Sequence, residues 1–478
     1  MKNLILLLLT GCFVITTYSQ ARWQQQTDYT IDVSLNDRDK TLDGFETVVY
    51  TNNSPDTLHF IWFHLWPNAY KNDRTAFSDQ LLENGNTAFY FSDKAQRGYI
   101  NRLDFKVDGN SAKIEDHPQH IDIIKVVLTK PLAPKAKAII TTPFHVKLPF
   151  NFSRGGYDGE SFQVTQWYPK PAVYDQKGWH PMAYLDQGEF YSEFGNFDVR
   201  ITLPKDYVVA ATGELQNANE KEWLKTRTNY AAPETPKKSK SPVQRKIVPK
   251  SKAPVVVATQ ETKTLHFKQS NVHDFAWFAN KYFIVNSDTL QVAGRTINVS
   301  SFYTPAEKSS WQSSVQMAKD AVRFYSSEVG EYPYNAATVV QGPTSFGGGM
   351  EYPTITVIAP ASSAQSLDET IAHELGHNWF YGILASNERQ FLWMDEGMTT
   401  FYTEKYTERK YGKQSSEEEL FFQLKAANKK DQPIKTLSEE LSVLNYGLSA
   451  YHKTSEWMKL LEQRLGKDAF RQMMQEYY

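Results

Sequence analysis

The sequence predicts a multidomain α+β protein, in which an N-terminal all-β domain is followed by a mostly helical domain. The chain has 478 residues, enough for two to four domains of roughly 100 to 200 residues each. Its hydrophobic period changes along its length: apolar residues mostly alternate with polar ones as far as about Asn286, and they recur at helical spacing past Arg295. Composition is ordinary for a folded protein, with 41% hydrophobic and 22% charged residues.

Charge and cysteine content exclude several classes of protein. A formal net charge of -2 gives no basic field, so nucleic acid is not expected as a partner. The single cysteine cannot form a disulfide framework or a cysteine-based metal site. After the N-terminal segment, no run approaches the roughly 20 apolar residues that a transmembrane span requires.

The N-terminus resembles a secretory signal peptide. Lys2 precedes the apolar run Leu4–Leu9, which continues to Ile15 before small and polar residues follow. We therefore expect residues 1–19 to be a signal peptide and the mature protein to be secreted or periplasmic. The alternative is lipoprotein processing, which would leave a lipid tether on Cys12.

Residues 22–290 are predicted to form the β domain. Alternating apolar residues such as Ile31, Val33 and Leu35 indicate strands, and Asp108-Gly109-Asn110 indicates a tight turn. A segment rich in Lys and Pro interrupts this pattern at 233–254 and predicts a loop between strands. That loop is interpreted either as a solvent-exposed loop without a binding role or as an anion-binding arm.

Helical signals dominate the second part, residues 291–478. Apolar spacing predicts a helix over 307–328, and Ser366-Leu367-Asp368-Glu369 matches a capping box that would start another. Gly382 suits the end of that second helix. A third helix is predicted to follow Glu396 and to run to Gly412.

One set of residues in these helices has the spacing of a metal site. In His373-Glu374-Leu375-Gly376-His377, two imidazoles four residues apart lie on the same helical face and can bind one zinc ion. Glu396 follows nineteen residues after His377, and an antiparallel return would bring its carboxylate to the same ion. Two histidines and one glutamate leave a fourth position open for water, as in catalytic zinc sites.

These residues resemble the gluzincin metallopeptidases of the aminopeptidase N family, which belong to peptidase family M1. Three further segments agree with it: Trp379-Phe380 after the second histidine, Gly348-Gly349-Met350-Glu351-Tyr352, which is similar to the family's Gly-x-Met-Glu-Asn motif, and Ala450-Tyr451-His452-Lys453. The resemblance covers nearly all of the chain after Arg295. It implies a thermolysin-like catalytic domain and one zinc ion.

The resemblance also implies roles for individual residues. Glu374 would be the general base and acid, and the Tyr451 hydroxyl would stabilise the transition state. Glu351, with the adjoining Gly348, Gly349 and Met350, would bind the substrate and its α-ammonium group. Gln166 is the candidate for the residue with which the β domain completes the amine site. Two positions depart from the family: Tyr352 replaces Asn, and Thr454 replaces Gly.

The sequence therefore predicts a secreted zinc aminopeptidase that removes N-terminal residues from peptides with a free N-terminus. One alternative is a zinc endopeptidase or other zinc hydrolase without amine selectivity, if Tyr352 disables recognition of the amine. Another is a non-catalytic module that binds peptides and contains zinc. Family members continue into a further helical domain, so the catalytic part is either truncated at its C-terminus or has an unusually open site.

Overall fold

The structure, a computed structural model, describes residues 23–230, 261–413 and 417–478. The expected signal peptide (1–19), Cys12 and the Lys/Pro-rich segment (233–254) lie outside the described residues. Within these ranges no helix combines the length and hydrophobicity needed to cross a membrane.

The N-terminal part is a β domain, as the alternating pattern predicts. Its strands are β1 (Gln26–Asn36), β2 (Thr41–Thr51), β3 (Leu58–His64), β4 (Tyr99–Asn101), β5 (Lys106–Val107), β6 (Asn110–Ser111), β7 (Lys113–Asp116), β8 (Ile123–Leu132), β9 (Lys137–Lys147), β10 (Gly156–Asp158), β11 (Ser161–Val164), β12 (Lys170–Pro171), β13 (Val173–Asp175), β14 (Gly178–His180), β15 (Gly195–Pro204), β16 (Val208–Ala211), β17 (Glu214–Leu215), β18 (Thr262–Val272) and β19 (Trp277–Asn280). Two short helices, α1 (Ala76–Glu83) and α2 (Ala218–Lys225), interrupt them.

Three sheets share one apolar core. The largest has the order β17-β18-β15-β1-β2-β9-β5-β6, with β4 also paired to β9. Two four-stranded sheets, β10-β11-β19-β16 and β12-β3-β8-β7, contribute to the same core, and a separate ribbon joins β13 to β14. Alternation in β1 buries Ile31, Val33 and Leu35 against this core. Asp108 and Gly109, both at positive φ, form the turn between β5 and β6, as predicted.

The catalytic part begins with a five-stranded sheet rather than with helices. Its strands are β20 (Ile284–Val292), β21 (Arg295–Tyr303), β22 (Ala336–Gln341), β23 (Gly349–Tyr352) and β24 (Ile355–Ile358), in the order β20-β21-β22-β24-β23. The predicted domain boundary at 290/291 falls inside β20. Because β20 and β21 also show period two, the pattern could not reveal which sheet they join.

Helices complete the catalytic part. They are α3 (Lys308–Trp311), α4 (Ser314–Glu328), α5 (Ala364–Gly376), α6 (Glu388–Leu392), α7 (Met398–Tyr411), α8 (Glu417–Ala427), α9 (Val443–Asn445), α10 (Lys453–Leu465) and α11 (Lys467–Tyr477). The helix predicted over 307–328 is thus two helices that break at 312–313. The one predicted after Glu396 is α7, which Gly412 ends at φ 80°.

The two parts of the chain pack together behind the functional site. An apolar cluster joins Tyr184 and Phe190 of the β domain to Phe346, Met350 and Val357 of the catalytic part. Strand β23 forms the edge of the five-stranded sheet beside this cluster. The fold therefore matches the predicted class, an all-β domain on a largely helical catalytic domain.

Candidate metal centre and active site

Helix α5 carries the two histidines. Ser363 caps this helix, because its hydroxyl accepts a hydrogen bond from the Ser366 backbone NH at 3.1 Å. The predicted capping box at 366–369 is therefore wrong by one turn: Ser366 already lies inside the helix. Regular α-helix stops at Gly376, and the chain kinks at Phe380 and Tyr381, so Gly382 does not end it.

Glu396 meets the two histidines. It lies in a wide helical turn, Trp393–Gly397, and its Oε2 is 3.1 Å from Nε2 of His373 and 3.4 Å from Nε2 of His377. Gly397 lets this turn pack closely against α10, because a Cβ there would lie 2.3 Å from the Cβ of Thr454. The three predicted ligands thus converge, with one donor atom of each within 4.8 Å of the others.

The donor set fits a zinc ion. A tetrahedral site with metal bonds of about 2.0 to 2.1 Å has ligand–ligand edges of about 3.3 to 3.4 Å, close to the two distances from Glu396 Oε2. Two imidazoles and one carboxylate are also the composition of catalytic zinc centres. His373, His377 and Glu396 would hold the ion.

Neighbouring side chains fix two of the ligands. The buried Asp395 lies 2.5 Å from Nδ1 of His377, which leaves Nε2 of that ring free to bind metal. The Tyr451 hydroxyl donates to Oε1 of Glu396, and its ring stacks on His373 at 5.8 Å between centroids. Tyr451 therefore lies in the centre, as the family resemblance implies.

Carboxylates dominate the local field. Burial raises the pKa of Asp395 to about 6. Burial alone would lower the pKa of His377, but Asp395, Glu351 and Glu396 raise it well above its usual value. Such a field favours a cation among these side chains.

Replacing Asp395 with Asn should weaken zinc binding by about 10-fold to 100-fold, because the amide orients His377 less strongly than a carboxylate does. Competition with a chromophoric chelator measures the effect. Asp320→Asn, a change at a carboxylate on α4 paired with Lys410, should leave zinc affinity unchanged. Equal affinity in both variants would contradict the role of Asp395.

Glu374 lies beside the ligands in a cavity of about 440 Å³. Its Oε2 has no hydrogen-bond partner in the described structure, and burial raises its pKa to about 8. A Cβ at Gly349 would lie 2.0 Å from Glu374 Oε1, so glycine at 349 is what lets strand β23 approach the carboxylate. A carboxyl group with a pKa near neutrality can both take and return a proton.

The Gly-Gly-Met-Glu segment reaches the cavity through β23. Gly348 adopts φ 85° just before the strand, and Met350 packs in the apolar cluster between the domains. Glu351 is 7% exposed, with Oε1 lacking a partner. Burial raises its pKa well above the usual range. All four residues from Gly348 to Glu351 line the cavity.

Gln166, predicted to complete the amine site, does not line this cavity. It is 3% exposed, it accepts a hydrogen bond from the Tyr352 hydroxyl at 3.2 Å, and its amide donates to Asp274 at 3.4 Å. Tyr352 points toward this amide and is absent from the cavity wall. Tyr352, which stands where the family has Asn, thus places its side chain against the β domain. The neighbouring Glu351 still lines the cavity.

Three residues that the sequence analysis missed lie in the cavity wall. Glu189, from the β domain, accepts hydrogen bonds at Oε1 from Arg154 at 2.5 Å and from the Tyr446 hydroxyl at 2.9 Å. Its Oε2 has no partner in the described structure. No motif marks these positions, because segments some 35 and 257 residues apart in sequence meet only in the fold.

The comparison with known families agrees with this geometry. Residues 314–478 match the family model described as Peptidase family M1 domain. This range contains all three ligands, Glu374 and Tyr451. Residues 314–478 are therefore similar to a peptidase family M1 domain, and the resemblance drawn from the motifs is confirmed over this range.

Curated relatives match over limited lengths. Aminopeptidase 2 of Candida albicans is 24% identical over 191 residues, which are 35% of this chain and 20% of that protein. Aminopeptidase B of Rattus norvegicus is 33% identical over 75 residues, 15% of this chain and 12% of that protein. The chain thus spans a fifth or less of the curated relatives it matches.

Solved structures extend the likeness to both domains. The crystal structure of an M1 zinc metallopeptidase from Deinococcus radiodurans matches with a TM-score of 0.61 at 15% identity, over 95% of this chain and 86% of that one. A mutant of that metallopeptidase, bound to a Tyr-Ser-Ala substrate, matches with a TM-score of 0.60 at 15% identity over the same shares. The two-domain fold is confirmed.

Proposed function

We propose that the protein is a zinc aminopeptidase that removes N-terminal residues from peptides. One observation carries the proposal: His373, His377 and Glu396 converge beside Glu374, in a cavity whose wall also holds the carboxylates of Glu351 and Glu189, each with one oxygen that lacks a hydrogen-bond partner in the described structure. A metal centre with a neighbouring base fits hydrolysis, and buried carboxylates fit a substrate ammonium group.

Two side chains beside the metal would carry the reaction. A zinc ion supplies Lewis acidity and lowers the pKa of water that it binds. Glu374 would take the proton from the attacking water and return it to the leaving amine. Tyr451, whose hydroxyl donates to Glu396, would release this carboxylate and donate to the oxyanion that develops on the substrate.

Recognition of the substrate's N-terminal amine would determine which peptide bond is cleaved. The α-ammonium group would bind Glu351, with Glu189 from the β domain taking the part first predicted for Gln166. Both carboxylates keep an oxygen without a partner in the described structure, and a charge-assisted hydrogen bond to each would hold the first peptide bond over the metal.

The experiment compares a peptide with a free N-terminus and the same peptide N-acetylated. The free peptide should be cleaved at its first bond, and acetylation should lower kcat/KM by about 100-fold or more, because the buried carboxylates lose a cationic partner. Glu351→Gln should raise KM for the free peptide and leave zinc content unchanged. Equal cleavage of both peptides would favour a zinc endopeptidase or another zinc hydrolase. Binding without cleavage would favour a non-catalytic module.

We also propose that the protein is exported. The apolar run after Lys2 supports this proposal, and its test is the N-terminus of the mature protein recovered from a bacterial host. A start after Ser19 or Ala21 in the periplasm or medium is expected. A membrane-bound product beginning at a lipidated Cys12 would indicate a lipoprotein, and an intact Met1 in the cytoplasm would contradict export.

A further inference from the structure

Tyr381 has a strained backbone close to the metal centre. It lies four residues after the ligand His377 in sequence, and it adopts φ 74° and ψ -62°. These angles match the strained form of the γ-turn, at about +75° and -65°. Glycine adopts this region freely, whereas a residue with a Cβ is strained there. Such strain persists only where the surrounding structure holds it, and it is frequent at functional sites.

The side chain of Tyr381 anchors this residue to the β domain. Its hydroxyl is hydrogen-bonded to Nδ1 of His273 at 2.9 Å. The two rings also pack together, with 4.5 Å between their centroids. Both side chains are buried. The contact therefore joins the strained residue of the catalytic part to a buried residue of the other domain.

Contacts within the β domain hold His273. This residue follows strand β18, and its backbone oxygen accepts a hydrogen bond from the Lys170 ammonium at 3.3 Å. Lys170 is itself paired with the buried Asp274 at 2.8 Å. Phe194 packs on the imidazole, with 5.3 Å between ring centroids. The partner of Tyr381 is thus fixed independently of the catalytic part.

The backbone after Tyr381 connects it to the metal ligand. The Gly382 amide donates to the backbone oxygen of His377 at 2.8 Å, and a Cβ at Gly382 would lie 2.6 Å from that oxygen. Tyr381 and Gly382 share a planar peptide group, so a shift of the first moves the second. The hydrogen bond to His377 then passes the shift to the ligand.

We propose that Tyr381 and His273 form an interdomain contact that positions the metal ligand His377, and that both are positioning residues for the reaction. The inference rests on the proposed function, in which His377 binds zinc, and it gives the β domain a part in building the metal centre. The strained backbone is retained because a glycine at 381 would have no side chain to reach His273. Without the contact the kink relaxes, and His377 loses its alignment with the other ligands.

Tyr381→Phe tests the contact, because it keeps the ring and removes only the hydroxyl. Competition with a chromophoric chelator should give a zinc Kd about tenfold higher than that of the wild type, as for other residues that support a metal ligand. In the zinc-saturated protein, kcat on a free peptide should also fall about tenfold. A zinc Kd within about twofold of the wild-type value would overturn the inference.

Tyr334→Phe is the matched control. The Tyr334 hydroxyl also crosses between the domains and donates to the backbone oxygen of Asn271 at 3.3 Å, but Tyr334 lies outside the kink. Both variants lose one interdomain hydrogen bond, so both should lower the unfolding temperature of the metal-free protein to a similar extent. Only Tyr381→Phe should weaken zinc binding. Equal losses of zinc affinity would indicate a general effect of stability and would overturn the inference.

Variants at His273 test the partner. In His273→Asn an amide atom replaces Nδ1 as the hydrogen-bonding group, so zinc Kd should stay within about threefold of the wild type. His273→Leu lacks such an atom and should match Tyr381→Phe. Combining His273→Leu with Tyr381→Phe should add little to either change, whereas fully additive losses would show that the two residues act separately. If a His273 variant fails to fold, the comparison of the two tyrosine variants decides the matter.

Zinc affinity separates this inference from the proposed function. If the wild-type protein cleaves no peptide but Tyr381→Phe, unlike Tyr334→Phe, still weakens zinc binding, the aminopeptidase proposal fails and the positioning contact stands. If peptides are cleaved and Tyr381→Phe equals the wild type in both zinc Kd and kcat, the proposed function stands and the positioning contact is wrong.

Discussion

Replacing Glu374 with Gln is expected to lower kcat by about 100-fold to 10,000-fold, the usual contribution of a general acid–base group. The amide cannot take a proton from water, although it has nearly the same shape as the carboxylate. Zinc content should remain one ion per chain, since Glu374 is not among His373, His377 and Glu396, the three ligands that converge. Steady-state kinetics on a free peptide, with metal analysis of the same sample, measures both.

Two results would contradict the prediction for Glu374. A zinc-loaded Glu374→Gln protein with wild-type kcat would remove the base from the mechanism. Loss of zinc in this variant would instead mean that Glu374 is a ligand, within the alternative donor group of Glu351, Glu374 and His377. Either result would require another proton acceptor in the cavity.

Gly349→Ala is expected to give the second large effect, a fall in kcat of about 100-fold. The added methyl carbon would lie 2.0 Å from Oε1 of Glu374, so the carboxylate must move, and a displacement of about 1 Å in a catalytic group costs about this factor. Fold and zinc content should be retained, because the obstructed atom is the end of a flexible side chain. Kinetics, thermal unfolding and metal analysis together test the prediction.

Gly347→Ala is the matched control for this substitution. A Cβ at 347 meets nothing within 4 Å, and the backbone there does not adopt positive φ. Its activity should stay within about twofold of wild type, as for an exposed surface change. Equal losses in both variants would show that rigidity of the glycine segment, rather than room for Glu374, explains the effect.

Local patterns predicted the catalytic helices well. Spacing of four residues placed His373 and His377 on one face, and Glu396 followed nineteen residues after His377, so the ligand set needed no knowledge of the rest of the chain. The cap was misplaced because two serines three residues apart compete, and Ser363, not Ser366, has the extended backbone that a cap requires.

Contacts between residues far apart in sequence explain what the sequence could not predict. Gln166 was the β-domain candidate that the family resemblance suggested for the amine site, but its backbone adopts φ 47° and its side chain turns toward Tyr352 and Asp274. Glu189 carries no motif, since its importance depends on residues of both domains lining one cavity. Strands β20 and β21 alternate like those of the β domain, and only pairing with β22 assigns them to the catalytic sheet.

The measurement that tests the central claim most directly is anomalous X-ray diffraction from a crystal of the purified protein at the zinc absorption edge. The account predicts one strong peak, bonded at about 2.0 to 2.2 Å to Nε2 of His373, Nε2 of His377 and a carboxylate oxygen of Glu396. A zinc peak elsewhere, or none after soaking in zinc, would contradict the metal centre and every step built on it.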